Sequence, residues 1–209
     1  MPLRRLALST VLPLGLAACA AMPPSGPHSS RPDIVLVLPF AVPDRVVALD
    51  PSFGFSLRRG APGVPQRRRA ASVGRAAAFQ LSLALTERLR AFGFDTARSA
   101  AVNGDPDRKT LIVTGFFDRI DEGRRRRVGA GPSEVAARFQ VEYQAPGVPP
   151  RQLMTERLDS AQAPPPGAAI PASARRVADV NADARRLGAM IADAIADLAR
   201  RENWLGPAQ

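Results

Sequence analysis

The sequence has almost none of the side chains that build redox and transition-metal sites. Its 209 residues include one cysteine, Cys19, and one histidine, His28. An intramolecular disulfide and a cysteine-based metal cluster are therefore excluded. His28 lies in a Pro/Ser/Gly tract, which favours a solvated linker side chain over a metal ligand or a catalytic base. We predict neither a metal site nor a dissociable cofactor.

The chain also has little lysine and few aromatic residues. Lys109 is the only lysine among 29 basic residues, and aromatic residues make up 5% of the chain. The net charge of +10 is compatible with binding to nucleic acid, anionic lipid or an acidic polymer. Arginine in place of lysine, amid abundant alanine and proline, is equally what a GC-rich genome produces. The composition leaves both explanations of the charge open.

Hydrophobic runs long enough to span a bilayer are absent as well. Arg4 and Arg5 precede an apolar stretch from Leu6 to Leu16, which is too short to cross the ~30 Å hydrocarbon core as a helix. A positive start followed by a short apolar core is typical of a secretory signal peptide. We predict that residues 1–18 are a signal peptide removed on export.

The lone cysteine follows this stretch directly, in the sequence Leu16-Ala17-Ala18-Cys19. Small residues before the cysteine fit the cleft of a processing protease, and the thiol of Cys19 can carry a diacylglyceryl group through a thioether. The pattern resembles the lipobox of bacterial lipoproteins and predicts cleavage between Ala18 and Cys19. The alternative is an ordinary secreted protein cleaved at another small residue, such as Ala21.

Lipid on Cys19 predicts an exported protein whose acyl chains, such as palmitate, tether it to a membrane. Ala20 rather than aspartate follows the cysteine. By the lipoprotein sorting rule this implies the outer membrane of a Gram-negative cell, with the domain facing the periplasm. Such a chain is poorly placed to meet DNA or RNA, so we expect no nucleic-acid partner. The expected partners are the membrane, through the lipid, and a protein of the cell envelope.

Proline and glycine divide the mature chain into segments. Residues 19–33 contain four prolines and are typical of a flexible tether. An α+β domain is predicted over 34–202, with a long basic Pro/Gly-rich loop at 43–71. A second proline-rich connection is predicted at 161–172, and residues 203–209 are predicted to form a C-terminal tail.

Hydrophobic periodicity predicts both strands and helices. The clearest alternation runs from Glu134 to Gln144, where every second residue, beginning with Val135, is apolar or aromatic. Ile34 to Phe40 is an unbroken apolar run, which is typical of a strand buried on both faces. Apolar residues at three- and four-residue spacing predict amphipathic helices over 72–92 and 174–202. Further strands are predicted at 94–98, 111–120 and 152–158.

The first predicted helix carries signals at both ends. Ser72 fits the preference for an N-cap, and Gly93 followed by Phe94 is typical of a C-terminal glycine cap with its hydrophobic partner. The order of elements is strand, long loop, helix, several strands and helix. This order predicts a single small α+β domain with a mainly antiparallel sheet and both helices packed on it.

A turn with four consecutive arginines and two glycines lies between two of the predicted strands. One interpretation is an anion-binding site, in which guanidinium groups and backbone N–H groups hold phosphate or carboxylate. The other, which the pattern favours, is a hairpin connection with a solvated charge run. The candidate anion-binding residues are Arg124, Arg125, Arg126, Arg127, Gly129 and Gly131.

No catalytic constellation is recognisable in the sequence. Asp118, Asp121 and Glu122 are close to the arginines, but Asp118 and Asp121 fall on opposite faces of a strand, and salt bridges are the favoured interpretation. No serine lies in a nucleophile elbow with a histidine partner. We therefore expect a protein that is not an enzyme.

The arginine turn and its flanking strands resemble the bacterial lipoproteins grouped as domain of unknown function 4410. The family has no assigned activity, so the resemblance implies a location and an architecture over residues 34–200 and no mechanism. The chain departs from the family in its long basic insertion at 56–71 and in having few apolar residues just after Arg127. The motifs that carry the likeness are Val37-Leu38-Pro39-Phe40, Thr114-Gly115-Phe116, Ile120-Asp121-Glu122-Gly123, Gly129-Ala130-Gly131 and Ser133-Glu134-Val135.

A lipid tether, a linker and a small domain together predict a non-enzymatic envelope lipoprotein. The first hypothesis is that it binds a protein partner of a membrane-associated assembly or secretion complex, because anchoring raises its concentration beside such a machine. The alternative is an anionic-ligand-binding or transporter-accessory module that uses the arginine and glycine turn or the basic loop.

Overall fold

A computed structural model of the protein describes residues 29–50, 65–101, 107–124, 131–162 and 178–206. The predicted signal peptide (residues 1–18), Cys19 and His28 lie outside these residues. Within the described ranges, six strands and two helices form one α+β domain, as predicted. In chain order they are β1 (Ile34–Val37), β2 (Val47–Ala48), α1 (Gln66–Ala91), β3 (Thr96–Arg98), β4 (Thr110–Asp121), β5 (Glu134–Ala145), β6 (Val148–Asp159) and α2 (Val180–Arg201).

The sheet is mixed and runs in the order β3-β1-β4-β5-β6, with β2 paired to the far end of β4. The three long strands β4, β5 and β6 are antiparallel neighbours, in line with the predicted pattern. The short strands add a parallel part, since β1 pairs in parallel with both β3 and β4. This geometry arises because α1 carries the chain from the end of β1 back to the start of β3, a crossover that makes the two strands parallel.

The hydrophobic core lies between one face of the sheet and the two helices. The alternation predicted for β5 is confirmed, because Val135, Ala137, Phe139, Val141 and Tyr143 are all buried in this core. The neighbouring strand β4 adds residues of the same face, and β6, at the sheet edge, is mostly exposed. The alternation in the sequence of β5 therefore correctly predicted which of its faces is buried.

Strand β1 is buried on both faces, as its unbroken apolar run predicted. Val35, Leu36 and Val37 are all buried. Val35 and Val37 belong to the core beneath the helices, and Leu36, between them, points to the opposite face of the sheet.

Helix α1 begins at Gln66, so the predicted start at Ser72 and the predicted extent of the loop to residue 71 are wrong. Pro65 precedes the helix without a side-chain cap, and its carbonyl accepts the N–H groups of Arg68 at 2.9 Å and Arg69 at 3.1 Å. A tertiary contact stabilises this first turn, because Arg69 forms an ion pair with Glu122 at the end of β4. Glu122 is distant from Arg69 in the sequence, so this contact could not be predicted from the local signals that mark a helix start.

The loop predicted at 43–71 also contains the short strand β2. Val47 and Ala48 pair with Ile120 and Asp121 of β4. Residues 51–64, which include Arg58 and Arg59, lie outside the described residues.

Helix α2 begins at Val180, and residues 178 and 179 of the predicted helix are not helical. Asp179 is the N-cap, and its carboxylate accepts the N–H groups of Asn181 at 3.0 Å and Ala182 at 3.2 Å. An aspartate here satisfies N–H groups that the first turn would otherwise leave without a partner. The predicted proline-rich connection at 161–172 falls mostly outside the described residues.

The two helices run in the same direction and pack closely along their apolar stripes. Leu81, Leu85 and Leu89 of α1 are fully buried, as are Leu187 and Ile191 of α2. The helices approach closely at Gly188, where a side-chain carbon would collide with the carbonyl oxygen of Leu81. Glycine at this position therefore sets the distance between the helices.

Candidate functional site

The two ends of the sheet carry different kinds of side chain, and we name them accordingly. At the cap end lie the start of β1, the last turns of both helices, and the aromatic residues Phe94, Tyr143 and Trp204. At the cleft end lie the carboxyl ends of β1 and β3 and the first half of α1.

Helix α1 ends at the cap end in a Schellman motif. Gly93 has a φ of 85°, its N–H donates to the carbonyl of Arg90 at 2.8 Å, and the N–H of Phe94 donates to the carbonyl of Leu89 at 3.2 Å. Phe94 is buried beside this cap. The glycine cap predicted from Gly93 and Phe94 is therefore confirmed.

Helix α2 ends in the same motif with asparagine in place of glycine. Asn203 has a φ of 61°, and the N–H of Trp204 donates to the carbonyl of Ala199 at 2.8 Å. Trp204 is buried, although it falls in the predicted C-terminal tail, so that tail begins too early in the prediction. The signal was present in the sequence, since asparagine adopts positive φ more readily than other side chains and an aromatic residue follows it.

The last residues of the predicted tether pack on the cap of α2. The N–H of Ser29 donates to the carboxylate of Glu202 at 2.9 Å, and its carbonyl accepts the indole N–H of Trp204 at 2.6 Å. The hydroxyls of Ser30 and Tyr143 lie 3.0 Å apart, and the Tyr143 ring stacks on Trp204 at 6.0 Å.

The same segment then crosses the cap of α1. Arg31 donates to the carbonyl of Gly93 at 2.6 Å, and its guanidinium lies 5.5 Å from the centre of the Phe94 ring. Asp33 accepts the N–H of Lys109 at 2.9 Å. Residues 29–33 are therefore held by the domain, and the remaining residues of the predicted tether, 19–28, lie outside the described residues.

The cleft end holds an open, mainly apolar cleft of about 710 Å³. It lies where the sheet order reverses, because β1 connects through α1 to β3 on one side and pairs with β4 on the other. Crevices at the carboxyl ends of such parallel strands are the usual ligand sites of α/β sheets. The lining residues are Val37, Pro39, Phe40, Val42, Arg75, Ala78, Phe79, Ser82, Arg98, Ser99 and Ala100.

The position of Phe40 in this cleft depends on a glycine in the neighbouring strand. A side-chain carbon at Gly115 would lie 2.8 Å from Cδ1 of the Phe40 ring and 2.7 Å from the carbonyl oxygen of Arg138. The ring of Phe40 also packs against Phe117 at 6.2 Å. The glycine within Thr114-Gly115-Phe116 thus has a packing role beside the cleft.

Two arginines stand at the rim of the cleft. Arg75 lies on the exposed side of α1, and Arg98 ends β3 with its guanidinium 5.2 Å from the centre of the Phe79 ring. Phe79 is 53% exposed, which is unusual for a large apolar side chain in this domain. Among the described residues, neither arginine forms a salt bridge.

The arginine turn, the candidate anion site of the sequence, closes as a hairpin between β4 and β5. Arg124 and Gly131 form an antiparallel bridge, in which the N–H of each donates to the carbonyl of the other, at 3.0 and 3.1 Å. The N–H of Gly131 is therefore already used by the protein. Arg125, Arg126, Arg127 and Gly129 lie outside the described residues, so the anion-site hypothesis there stays a prediction.

The three acids near this turn are each paired with an arginine. Asp118 accepts Nε of Arg157 at 2.9 Å, and Asp121 accepts from Arg119 at 3.2 Å. Glu122 is buried, pairs with Arg69, and accepts the N–H of Asp50 at 2.8 Å. The positions agree with the salt-bridge interpretation rather than with acid and base roles.

The pKa of Glu134, at the start of β5, is raised above its ordinary value. Burial raises the pKa of its carboxyl, and a hydrogen bond to Asp159 and the charge of that residue raise it further. Arg119, whose guanidinium is 3.0 Å from the Glu134 carboxylate, lowers this pKa in part. The pKa of Arg119 is raised in turn, first by its hydrogen bond to Asp121 and then by the charge of Glu134.

Metal-ligating clusters and membrane-spanning helices are both missing from the described part of the chain. Within it, no group of three histidine, cysteine or acidic side chains is placed to hold a metal ion. No helix in the described ranges has both the length and the apolar character needed to cross a membrane.

Comparison with known proteins adds little to this geometry. No family model matches the chain, and no curated protein matches it. A solved structure of an uncharacterized protein shares 14% identity, with 83% of this chain and 94% of that chain covered, at a TM-score of 0.33. A protein described as a neuraminyllactose-binding hemagglutinin homolog from Helicobacter pylori shares 10% identity, over 66% and 69% of the two chains, at 0.30. Scores this low carry no argument about fold or function.

Proposed function

We propose that this protein is an exported envelope lipoprotein without enzymatic activity, anchored through Cys19, whose domain binds a ligand at the cleft end. The observation that supports a binding role best is the open apolar cleft, whose rim arginines pair with no acid among the described residues. Its volume of about 710 Å³ falls within the roughly 300–1,000 Å³ of small-molecule sites. This proposal keeps the ligand-binding hypothesis of the sequence and moves it from the arginine turn to Arg75 and Arg98.

The anchor and the cleft would lie at opposite ends of the domain. The chain enters the described fold at Ser29, which is fixed at the cap end by Trp204. The steps from Cys19 to Ser29 can extend no further than roughly 35 Å. The cap end would therefore stay near the bilayer surface, while the cleft end would face the periplasm in a Gram-negative cell.

The anchoring half of the proposal is tested with Cys19→Ser in the full-length chain. We expect wild type to incorporate an alkyne analogue of palmitate and to fractionate with membranes, and the variant to lose both properties. Ala21→Val is the matched control, because it changes the alternative cleavage position and leaves the lipobox intact. Membrane association and label retained by Cys19→Ser would overturn the lipoprotein assignment.

A protein partner in an assembly or secretion complex is the second candidate, and β6 is the feature that favours it. This strand of 12 residues lies at the edge of the sheet, and no described strand pairs with its outer side. An exposed strand edge can accept a strand of another chain through main-chain hydrogen bonds. We also keep the resemblance to the domain of unknown function 4410 family as part of this proposal.

In-cell cross-linking of the full-length protein beside Cys19→Ser tests the partner hypothesis. A defined membrane complex enriched only with the anchored form supports it and names the machine. Recovery of the same bulk envelope proteins with both forms contradicts it.

A further inference from the structure

We propose that the cleft binds a single-chain amphipathic anion of the long-chain fatty acid type, with its hydrocarbon chain inside and its carboxylate between Arg75 and Arg98. The inference rests on the proposed binding function and specifies the ligand class of that same cleft. Three observations carry it: the apolar interior, the two rim arginines, and the scarcity of groups that could satisfy a peptide.

Apolar side chains make up most of the cleft lining, with the edge of the hydrophobic core as its floor. Val37 and Phe40 are almost fully buried, and Val42 and Ala78 pack partly against the same core. Phe79, by contrast, is largely exposed at the opening. Covering Phe79 with a hydrocarbon chain would remove its apolar surface from water, which favours binding.

The rim supplies positive charge that the described residues do not neutralise. Arg75 and Arg98 come from different elements, α1 and the end of β3, and both line the cleft. Arg75 also borders a neighbouring groove with Arg45, Arg67 and one acid, Asp44. A carboxylate placed between two guanidinium groups gains charge-assisted hydrogen bonds, which are stronger than those between neutral groups.

The polar groups of the cleft are too few for an extended peptide. Apart from the arginines, its described side chains offer only the hydroxyls of Ser82 and Ser99, and Ser99 already donates to the carbonyl of Ala101 at 2.6 Å. Each residue of a peptide brings an N–H and a carbonyl that need partners once buried. A hydrocarbon chain brings none, so the lining fits a lipid-like chain better than a polypeptide.

The test uses dansyl-undecanoate, whose fluorescence rises in an apolar site, titrated into the purified full-length chain carrying Cys19→Ser. We expect saturable binding to one site per chain, displaced by hexadecanoate and not by the uncharged hexadecanol. Arg75→Gln and Arg98→Gln should each raise the Kd about tenfold or more, because each removes a charged hydrogen bond. Arg75→Lys should restore part of the affinity.

Two further variants separate the site from the overall charge. Arg201→Gln removes the same charge from an exposed position in the last turn of α2, at the cap end, and should leave the Kd unchanged. Ala100→Trp places a large ring at an exposed lining position and should abolish binding by filling the cleft. Both positions are exposed, so thermal unfolding of the variants should match that of the parent.

Several results would overturn the inference. These are the absence of saturable binding, equal displacement by hexadecanol, or an equal loss in Arg201→Gln. A dimer of the ligand-free chain that Phe79→Ser dissociates would instead identify the cleft as an interface between copies. Failure of lipid labelling on Cys19 would contradict the anchoring proposal. It would not affect the binding results, because the titration uses a chain without the anchor.

Discussion

The cap end and the cleft end of this domain use aromatic and arginine side chains in opposite ways. At the cap end, Trp204 is buried, stacked on Tyr143 and hydrogen-bonded to Ser29. At the cleft end, Phe79 is 53% exposed and contacts an arginine without an acidic partner among the described residues. Among the described residues, the same kinds of side chain therefore stabilise the fold at one end and are exposed at the other.

The largest effect expected from this contrast is on stability. Trp204→Ala should lower the free energy of unfolding by about 3–5 kcal/mol, because it opens a cavity and leaves the Ser29 carbonyl without its donor. Phe79→Ala should change it by no more than about 0.5 kcal/mol, as is usual for exposed positions. Urea denaturation of both variants is the measurement. Equal losses would show that the two ends do not differ in this way.

The second effect concerns the packing that shapes the cleft. Gly115→Ala should cost about 1–3 kcal/mol, because its side chain would press on Phe40 and on the carbonyl of Arg138. Gly131→Ala is the matched control at the arginine turn, since a side chain there would meet nothing within 4 Å. Denaturation midpoints decide the case, and a neutral Gly115→Ala would show that Phe40 moves aside without cost.

The two helices also begin differently, and this gives a third test. Asp179→Ala should cost about 1 kcal/mol, because the N-cap carboxylate is lost. Ser72→Ala should cost nothing and could even stabilise by up to about 0.5 kcal/mol, since residue 72 lies inside α1 and alanine is the better helix former. If Ser72→Ala were as costly as Asp179→Ala, the helix would begin where the local sequence signal indicates.

The smallest effect is the pH dependence of Glu134. The pKa of Glu134 is raised in the folded state, so its protonated form stabilises the fold. This contribution to the free energy of unfolding is fully present below the unfolded pKa and is lost as pH rises through the folded pKa. We therefore expect Glu134→Gln to gain stability relative to wild type between pH 4 and pH 7, roughly the range above the ordinary pKa of glutamate. Urea unfolding at both pH values measures it, and a loss of relative stability over this range would contradict burial as the cause of the raised pKa.

The features that sequence reasoning captured are those that a short segment encodes by itself. The alternation of β5 contains its own burial pattern, and Gly93 with Phe94 contains a complete helix cap. The lipobox is equally local, but it stays a prediction because Cys19 lies outside the described residues. In each case the residues that determine the feature are neighbours in the chain.

The features that sequence reasoning missed depend on residues far apart in the sequence. The start of α1 is supported by Glu122, and the parallel pairing of β1 with β3 and β4 requires the crossover through α1. Arg75 and Arg98 belong to no motif, and only the fold brings them to the same cleft. The four consecutive arginines are far more conspicuous in the sequence, and they drew the anion-site hypothesis to the β4–β5 turn.

The central claim is that the ligand meets the cleft end and not the cap end. Amide chemical shifts of the Cys19→Ser chain, followed by NMR as hexadecanoate is added, test this most directly. We expect saturable changes at Ala78, Phe79, Ser99 and Ala100, with Ser29 and Trp204 unaffected. Changes centred on Ser29, Tyr143 and Trp204 would contradict the claim, because the ligand would then occupy the end that holds the fold together.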